Sequence, residues 1–196
     1  ADAALSASAS SHNSAYIQQY VQELRESPER EMRSLLNALN GGFIAPSPGG
    51  DAVRNPNTLP TGRNLFGINA EATPGVRAWD EGKALAKSTL DRYYRKHGEY
   101  PRKVSYTFWA GEFIETEGAT LAQALYMLGV APVRDGMNRV TDLRLIPSAE
   151  LGRPRIDVVV QTSGQLRDVA ASRLELLTKA VKMVAQSEND TCGNYV

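Results

Sequence analysis

Three carboxylates crowd one short stretch of this chain, Glu112, Glu115 and Glu117, between Trp109 and Gly118. Carboxylates on such a stretch can accept and return protons, and they can offer oxygen ligands to a divalent cation. Acids also gather at helix N-termini, where each contributes about 0.3–1 kcal/mol against the dipole. That bland reading stands beside the functional one for Glu117, and Glu115 reads as a solvated charge. Arg167 and Asp168 follow the apolar run Ile156–Val160. They either reach the same crevice as Glu112, or serve as a helix cap and a local ion pair. Asp51, Arg54, Arg63 and Asn64 lie in a Gly-, Pro- and Asn-rich segment, where each suits a ligand or can pin the loop by side-chain hydrogen bonds. Trp79 reads as core. Trp109 reads as core or, from a strand's carboxyl end, as a platform for a flat ring. Arg153 and Arg155 flank a strand and are expected to anchor its start, and His97 is expected to be a helix-end residue.

These groups are positioned by the elements around them. Lys103–Asp135 opens with a β-branched and aromatic run, Val104 to Trp109, followed by the acidic turn. A helical pattern comes next, with Leu121, Ala124, Leu125 and Leu128 on one face and Gly129 as its stop. A second short extended piece, Ala131–Arg134, leads to Asp135-Gly136. Strand, turn, helix, strand is the order of a βαβ unit, and open sheets of that kind bind ligands beyond the carboxyl ends of their strands. Further strands are expected at 140–146 and 155–161, the latter apolar enough to be covered on both faces. A helix over Val76–Lys96 and a last helix over Ala171–Gln186 complete the layer. The expected fold class is α/β: a mostly parallel sheet with helices packed on it, N-terminal helices, and a long ordered loop.

In domain terms, 1–14 reads as a disordered lead-in or boundary, and 15–196 as a single α/β segment. That segment divides into helices at 15–40 broken at Ser27-Pro28, a loop at 41–75, and a core at 76–187. The loop holds Phe43, Ile44, Leu59, Leu65, Phe66 and Ile68, which argues for packing, since disordered segments are poor in such residues. The abrupt start and finish suggest a piece of a longer protein.

Twenty-two basic and 22 acidic side chains balance to a net charge of zero, so no basic stripe invites nucleic acid. The single cysteine, Cys192, permits no internal disulfide and no cysteine metal cluster. With His12 and His97 as the two histidines, a histidine zinc site is not expected. No apolar run approaches the roughly 18–20 residues of a membrane span, and the first residues lack the pattern of a secretory signal. A cytoplasmic location is expected. GxxxxGK[ST], GxGxxG, GxSxG and HExxH are all missing, which argues against a self-contained ATPase, dehydrogenase or hydrolase and against an ATP site in this segment.

Four blocks resemble a known family: Ala38–Ile44; Pro48–Asp51 through Arg54-Asn55-Pro56 to Leu59–Asn64; Trp109 through Glu112 to Thr116-Glu117-Gly118; and Glu150–Asp157 leading to Ser163-Gly164 and Arg167-Asp168. Together they are similar to a segment of the large subunit of tetrapyrrole metal chelatases, the CobN-type cobaltochelatase subunit and its magnesium-chelatase relative. The resemblance implies a tetrapyrrole substrate and a divalent metal (cobalt, iron or magnesium) handled as substrate. The implied partners are the remainder of a much longer subunit and separate AAA+ ATPase subunits. Inserting a metal displaces two pyrrole protons and removing it returns them. The resemblance therefore makes Glu112, Asp168 and Glu117 the catalytic candidates, and Asp51, Arg54, Arg63, Asn64, Arg167 and Trp109 the candidates for holding the ring. The 41–69 loop and Ser163–Asp168 would form further walls of the site. The family usually has Trp-Gly where Trp109-Ala110 stands here, and an aromatic and a proline after Arg-Asp where Val169-Ala170-Ala171 stands. These departures look like the CobN-like proteins of haem-uptake systems, to which iron removal is attributed. The alternative is a non-catalytic docking module of the same subunit.

Overall fold

The computed structural model describes residues 2–50, 52, 58–188 and 190–196, with side chains described from Ile17 onward. The chain forms two compact units, residues 1–67 and 68–196.

In the first unit, α1 runs without interruption over Asp2–Leu39, with Pro28 inside it. The break expected at Ser27-Pro28 does not occur, and the helix continues into the stretch read as a lead-in. Side-chain pairs one turn apart stitch the region around the proline: Gln22–Glu26, Glu26–Arg30 and Glu29–Arg33. The Ser27 hydroxyl donates to the Glu23 carbonyl at 2.8 Å rather than starting a new helix, and it accepts from the Thr61 amide at 3.0 Å. The long loop is not wholly irregular. It contributes β1 (Pro46–Pro48) and β2 (Asn64–Phe66), paired in parallel from Pro46 opposite Asn64 to Pro48 opposite Phe66.

The second unit begins with a single 3-10 turn, Ala70–Ala72, and then α2, Val76–His97, which Gly98 ends in the left-handed conformation at φ 73°. After β3 (Lys103–Phe108) come two helices, α3 (Ala110–Thr116) and α4 (Ala119–Leu128). Strands β4 (Val130–Arg134) and β5 (Val140–Leu145), the short α5 (Ser148–Leu151), β6 (Asp157–Thr162) and α6 (Gly164–Ala185) follow. The core is built by Phe108, Phe113, Leu121, Leu125, Leu128, Val130, Leu166, Leu177 and Val184. Leu121, Leu125 and Leu128 are fully buried, each worth about 1.5–3 kcal/mol relative to exposure. A second cluster, Ala86, Leu90, Met127 and Ile156, ties α2 and α4 to the start of β6.

The α/β class holds, but the strands pair differently from a closed βαβ unit. β3 runs parallel to β6, from Lys103 opposite Asp157 to Phe108 opposite Thr162. β4 instead forms an antiparallel hairpin with β5. Its turn is fixed by Asp135, whose Oδ1 accepts from the amides of Met137 and Arg139, both at 2.9 Å, with Asn138 at φ 61°. Nor is β6 covered on both faces, since Val159 is 44% exposed and its β3 neighbours Lys103, Ser105 and Thr107 are exposed as well. The acidic turn is itself helical, so Glu112 and Glu115 ride on α3. The last helix starts at Gly164, with non-helical dihedrals at Ala170 marking a kink just before the expected start.

Candidate functional site

Because β3 and β6 are parallel and in register, their carboxyl ends lie side by side, tied by the Ser163 amide donating to the Phe108 carbonyl at 3.1 Å. Two helices leave from this edge, α3 after Trp109 and α6 after Ser163. Ser163 caps α6 by accepting from the Leu166 amide at 3.1 Å. Asp168 is therefore no cap; it lies in the second turn of α6, exposed, as is Arg167. Trp109 is 61% exposed, which removes the core reading for its ring. Trp109 and Glu112 stand at the start of the first of these helices, and Arg167 and Asp168 in the first two turns of the second.

Glu112 does a definite structural job. Its Oε1 accepts from the Thr116 hydroxyl at 2.7 Å and from the Thr120 amide at 3.2 Å, while Thr116 Oγ1 accepts from the Ala119 amide at 3.0 Å. The N-cap of α4 is Gly118, which has no side chain to offer. The first amides of α4 are satisfied instead by two side chains of α3. The other oxygen, Glu112 Oε2, is sealed from solvent and is the one buried side-chain N or O atom without a hydrogen bond among the described residues.

Glu117 sits at the far end of α3, in the left-handed conformation at φ 55°. Its carbonyl accepts from the Gly75 amide at 2.9 Å, and a Cβ on Gly75 would collide with its carboxylate. It therefore belongs to the start of α2 rather than to the strand-end edge.

In the first unit, Arg63 donates from Nε to the Pro60 carbonyl at 3.1 Å and from Nη2 to the Leu59 carbonyl at 3.0 Å, the loop-pinning arrangement. Arg63 and Asn64 also line a groove of about 550 Å³ with Leu35, Phe43 and Ile44. Asp51 and Arg54 lie outside the described residues.

The buried arginines divide into two kinds. Arg153 reaches the Met127, Pro154 and Tyr126 carbonyls and lies 4.9 Å above the Tyr126 ring. Arg155 binds the carbonyls of Leu128, Gly129 and Ile146 and pairs with Asp190 at 2.6 Å. Both anchor the approach to β6, as their position in the sequence suggests. Burial lowers the pKa of Arg153, with Tyr126 opposing.

Arg134 and Arg173 belong to no motif in the sequence. Arg134 holds the carbonyls of Ala72, Pro74 and Gly75, and Arg173 that of Thr73 at 2.9 Å. Burial lowers the pKa of both, with Asp80 and Glu71 opposing respectively. The signal for Arg173 was available: it stands in the core-facing register of Ala170, Leu177, Ala180 and Val184.

Among the described residues no group of three or more His, Cys, Asp or Glu side chains is placed to hold a metal ion, and no helix is long and apolar enough to cross a membrane. The model of the CobN/Magnesium Chelatase family matches residues 2–196. The chain belongs to this family. It is 41% identical over 169 residues to the magnesium-chelatase subunit ChlH, chloroplastic, of Oryza sativa subsp. indica, covering 86% of this chain and 12% of that one. It is 39% identical over 162 residues to the aerobic cobaltochelatase subunit CobN of Sinorhizobium sp, covering 82% and 13%. In three dimensions it matches the catalytic subunit of cobaltochelatase from Mycobacterium tuberculosis with a TM-score of 0.76 at 40% identity, covering 88% of this chain and 15% of that one. The chain therefore spans roughly an eighth of the length of its CobN/magnesium chelatase relatives.

Proposed function

We propose that this chain is part of the large subunit of a tetrapyrrole metal chelatase, contributing the strand-end edge of β3 and β6 to the ring-binding site. The observation that carries the reading is the family match along the chain, joined by likeness in fold to a cobaltochelatase catalytic subunit. Trp109, exposed at the strand end, offers a face to a flat macrocycle. Arg167 and the uncommitted amides at the start of α6 suit the ring's peripheral carboxylates. Asp168, exposed, exchanges the pyrrole protons with solvent as metal enters or leaves. Glu112 has one oxygen committed to α4 and the other sealed, so it takes part as a proton relay when the α3–α4 corner opens. In the first unit Arg63 and Asn64 offer a surface to the ring, and Asp51 and Arg54 belong to the same stretch of sequence. The metal is substrate, and the rest of the subunit and ATPase subunits supply what this segment lacks.

The same groups serve insertion of cobalt or magnesium and removal of iron. Ala110 and Val169–Ala171 favour the latter as a second reading, because they depart from the usual family residues where α3 begins and where α6 kinks.

Metal exchange in the longer protein tests the assignment. Asp168→Asn should lower the rate by roughly 100-fold or more, the scale of a lost acid–base group. Glu112→Gln should lower it as well, while both variants stay folded. Wild-type rates in both would leave the segment as a docking module.

A further inference from the structure

The second unit buries three arginines, and two of them are chemically complete. Arg155 has three carbonyls and a carboxylate, and Arg153 has three carbonyls and an aromatic face. Arg173 differs. It is 7% exposed, yet its guanidinium meets only the Thr73 carbonyl at 2.9 Å and, through Nε, the Ser172 hydroxyl at 3.4 Å. Nη2 makes no hydrogen bond among the described residues and is not fully sealed from solvent. Among the described residues no carboxylate lies within ion-pair distance of it; Glu71 acts on it only through its field and is directed to Arg139 at 3.8 Å. The adjoining turn, Ala72–Gly75, is held from its other side by Arg134, whose acceptors are likewise carbonyls. Two guanidinium groups thus converge on one turn, and among the described residues no carboxylate is bonded to either, Asp80 and Glu71 acting only from a distance. A buried guanidinium without a directly bonded carboxylate is costly, and an anion seated on it relieves that cost.

We propose that Arg173, supported by the field of Arg134, is a carboxylate-binding site that takes a peripheral carboxylate of the tetrapyrrole. This rests on the chelatase reading above. Arg173 stands on α6 ten residues beyond Ser163 and past the kink at Ala170, on the helix that leaves the strand-end edge beside Trp109. A ring stacked near Trp109 would set one carboxylate at the start of α6 and send the other along that helix to Arg173.

The test titrates the longer protein that contains this chain with a porphyrin carrying two propionic acids and with its dimethyl ester, following quenching of tryptophan fluorescence. The wild type should bind the diacid about tenfold more tightly than the diester. Arg173→Gln, which keeps a donor for the Thr73 carbonyl but no charge, should lose that preference while binding the diester as the wild type does. Equal affinity of the wild type for acid and ester overturns the carboxylate site and leaves the chelatase reading standing. So does an undiminished preference in folded Arg173→Gln. Binding of neither compound overturns both. The acid–ester comparison needs no variant, so the outcome does not depend on how well Arg173→Gln folds.

Discussion

Gly82 decides how closely α2 and α4 can approach, and replacing it sets two effects of similar size against each other. Glycine inside a helix costs about 1 kcal/mol relative to alanine, so Gly82→Ala at an open position would stabilise the protein by that much. Here the added Cβ would lie 2.6 Å from the Ala119 carbonyl oxygen and 2.6 Å from Ala122 Cβ. Neither neighbour is the far end of a flexible side chain, so α2 and α4 must part by several tenths of an ångström. Overpacking of this kind costs about 1–3 kcal/mol, and α4 carries Leu121, Leu125 and Leu128 into the core. Set against the gain of about 1 kcal/mol, this leaves a net loss of about 0–2 kcal/mol. For a chain of this size that corresponds to a fall in Tm of up to roughly 8 °C. Urea unfolding followed by circular dichroism measures it, with an unchanged m-value as the check that the same surface unfolds. Gly111→Ala is the control: it is helical, and nothing lies within 4 Å of its added Cβ. It should gain a few tenths to about 1 kcal/mol. If Gly82→Ala gains as much stability as Gly111→Ala, the close packing of α2 on α4 is wrong.

Asp190→Ala should cost about 3–5 kcal/mol by leaving the Arg155 guanidinium buried without its carboxylate. Thermal unfolding measures the loss, and protease cleavage within 186–196 should accelerate; a change under about 1 kcal/mol contradicts the clamp. Tyr106 is held neutral by burial, its pKa pushed up to about 12. Unfolding frees it to ionise near pH 10, so its contribution is intact below pH 10 and disappears as pH rises toward about 12. Relative to Tyr106→Phe, the wild type should therefore lose roughly 2–3 kcal/mol across that interval. Parallel alkaline denaturation curves for the two proteins would count against it.

The sequence is most readable where local chemistry and packing agree. The buried stripe of α4 and the glycine stops after α2 and α4 are found where three- and four-residue spacing and Gly98 and Gly129 put them. The pairing of strands is less readable, because it is settled by contacts distant in sequence. β3 finds its partner more than fifty residues on, and the intervening hairpin carried its own signal in Asp135-Gly136. Ser27-Pro28 misleads for a local reason: a serine before proline suits a helix start, yet the same hydroxyl can bond backward to Glu23 and let the helix continue. At the candidate site, residue types marked the strand-end edge, but which carboxylate is accessible was not legible. Glu112 is taken up by the amide of Thr120, a backbone group that composition does not advertise. Arg173 went unnoticed for the converse reason, a cation sitting where an apolar residue was expected.

The parallel pair of β3 and β6 leaves Lys103, Ser105, Thr107, Val159 and Gln161 on an uncovered face. For the chain in solution this is a colloidal matter as much as a structural one. Among the described residues this sheet has two strands, so each keeps an edge open to strand addition, and the charges of Lys103 and Asp157, 2.8 Å apart, stand at one end of it. They act as gatekeepers at one end of the ladder, and Val159 sits beyond their reach along it. Association at high concentration should therefore start from this sheet, however stable the core beneath it is.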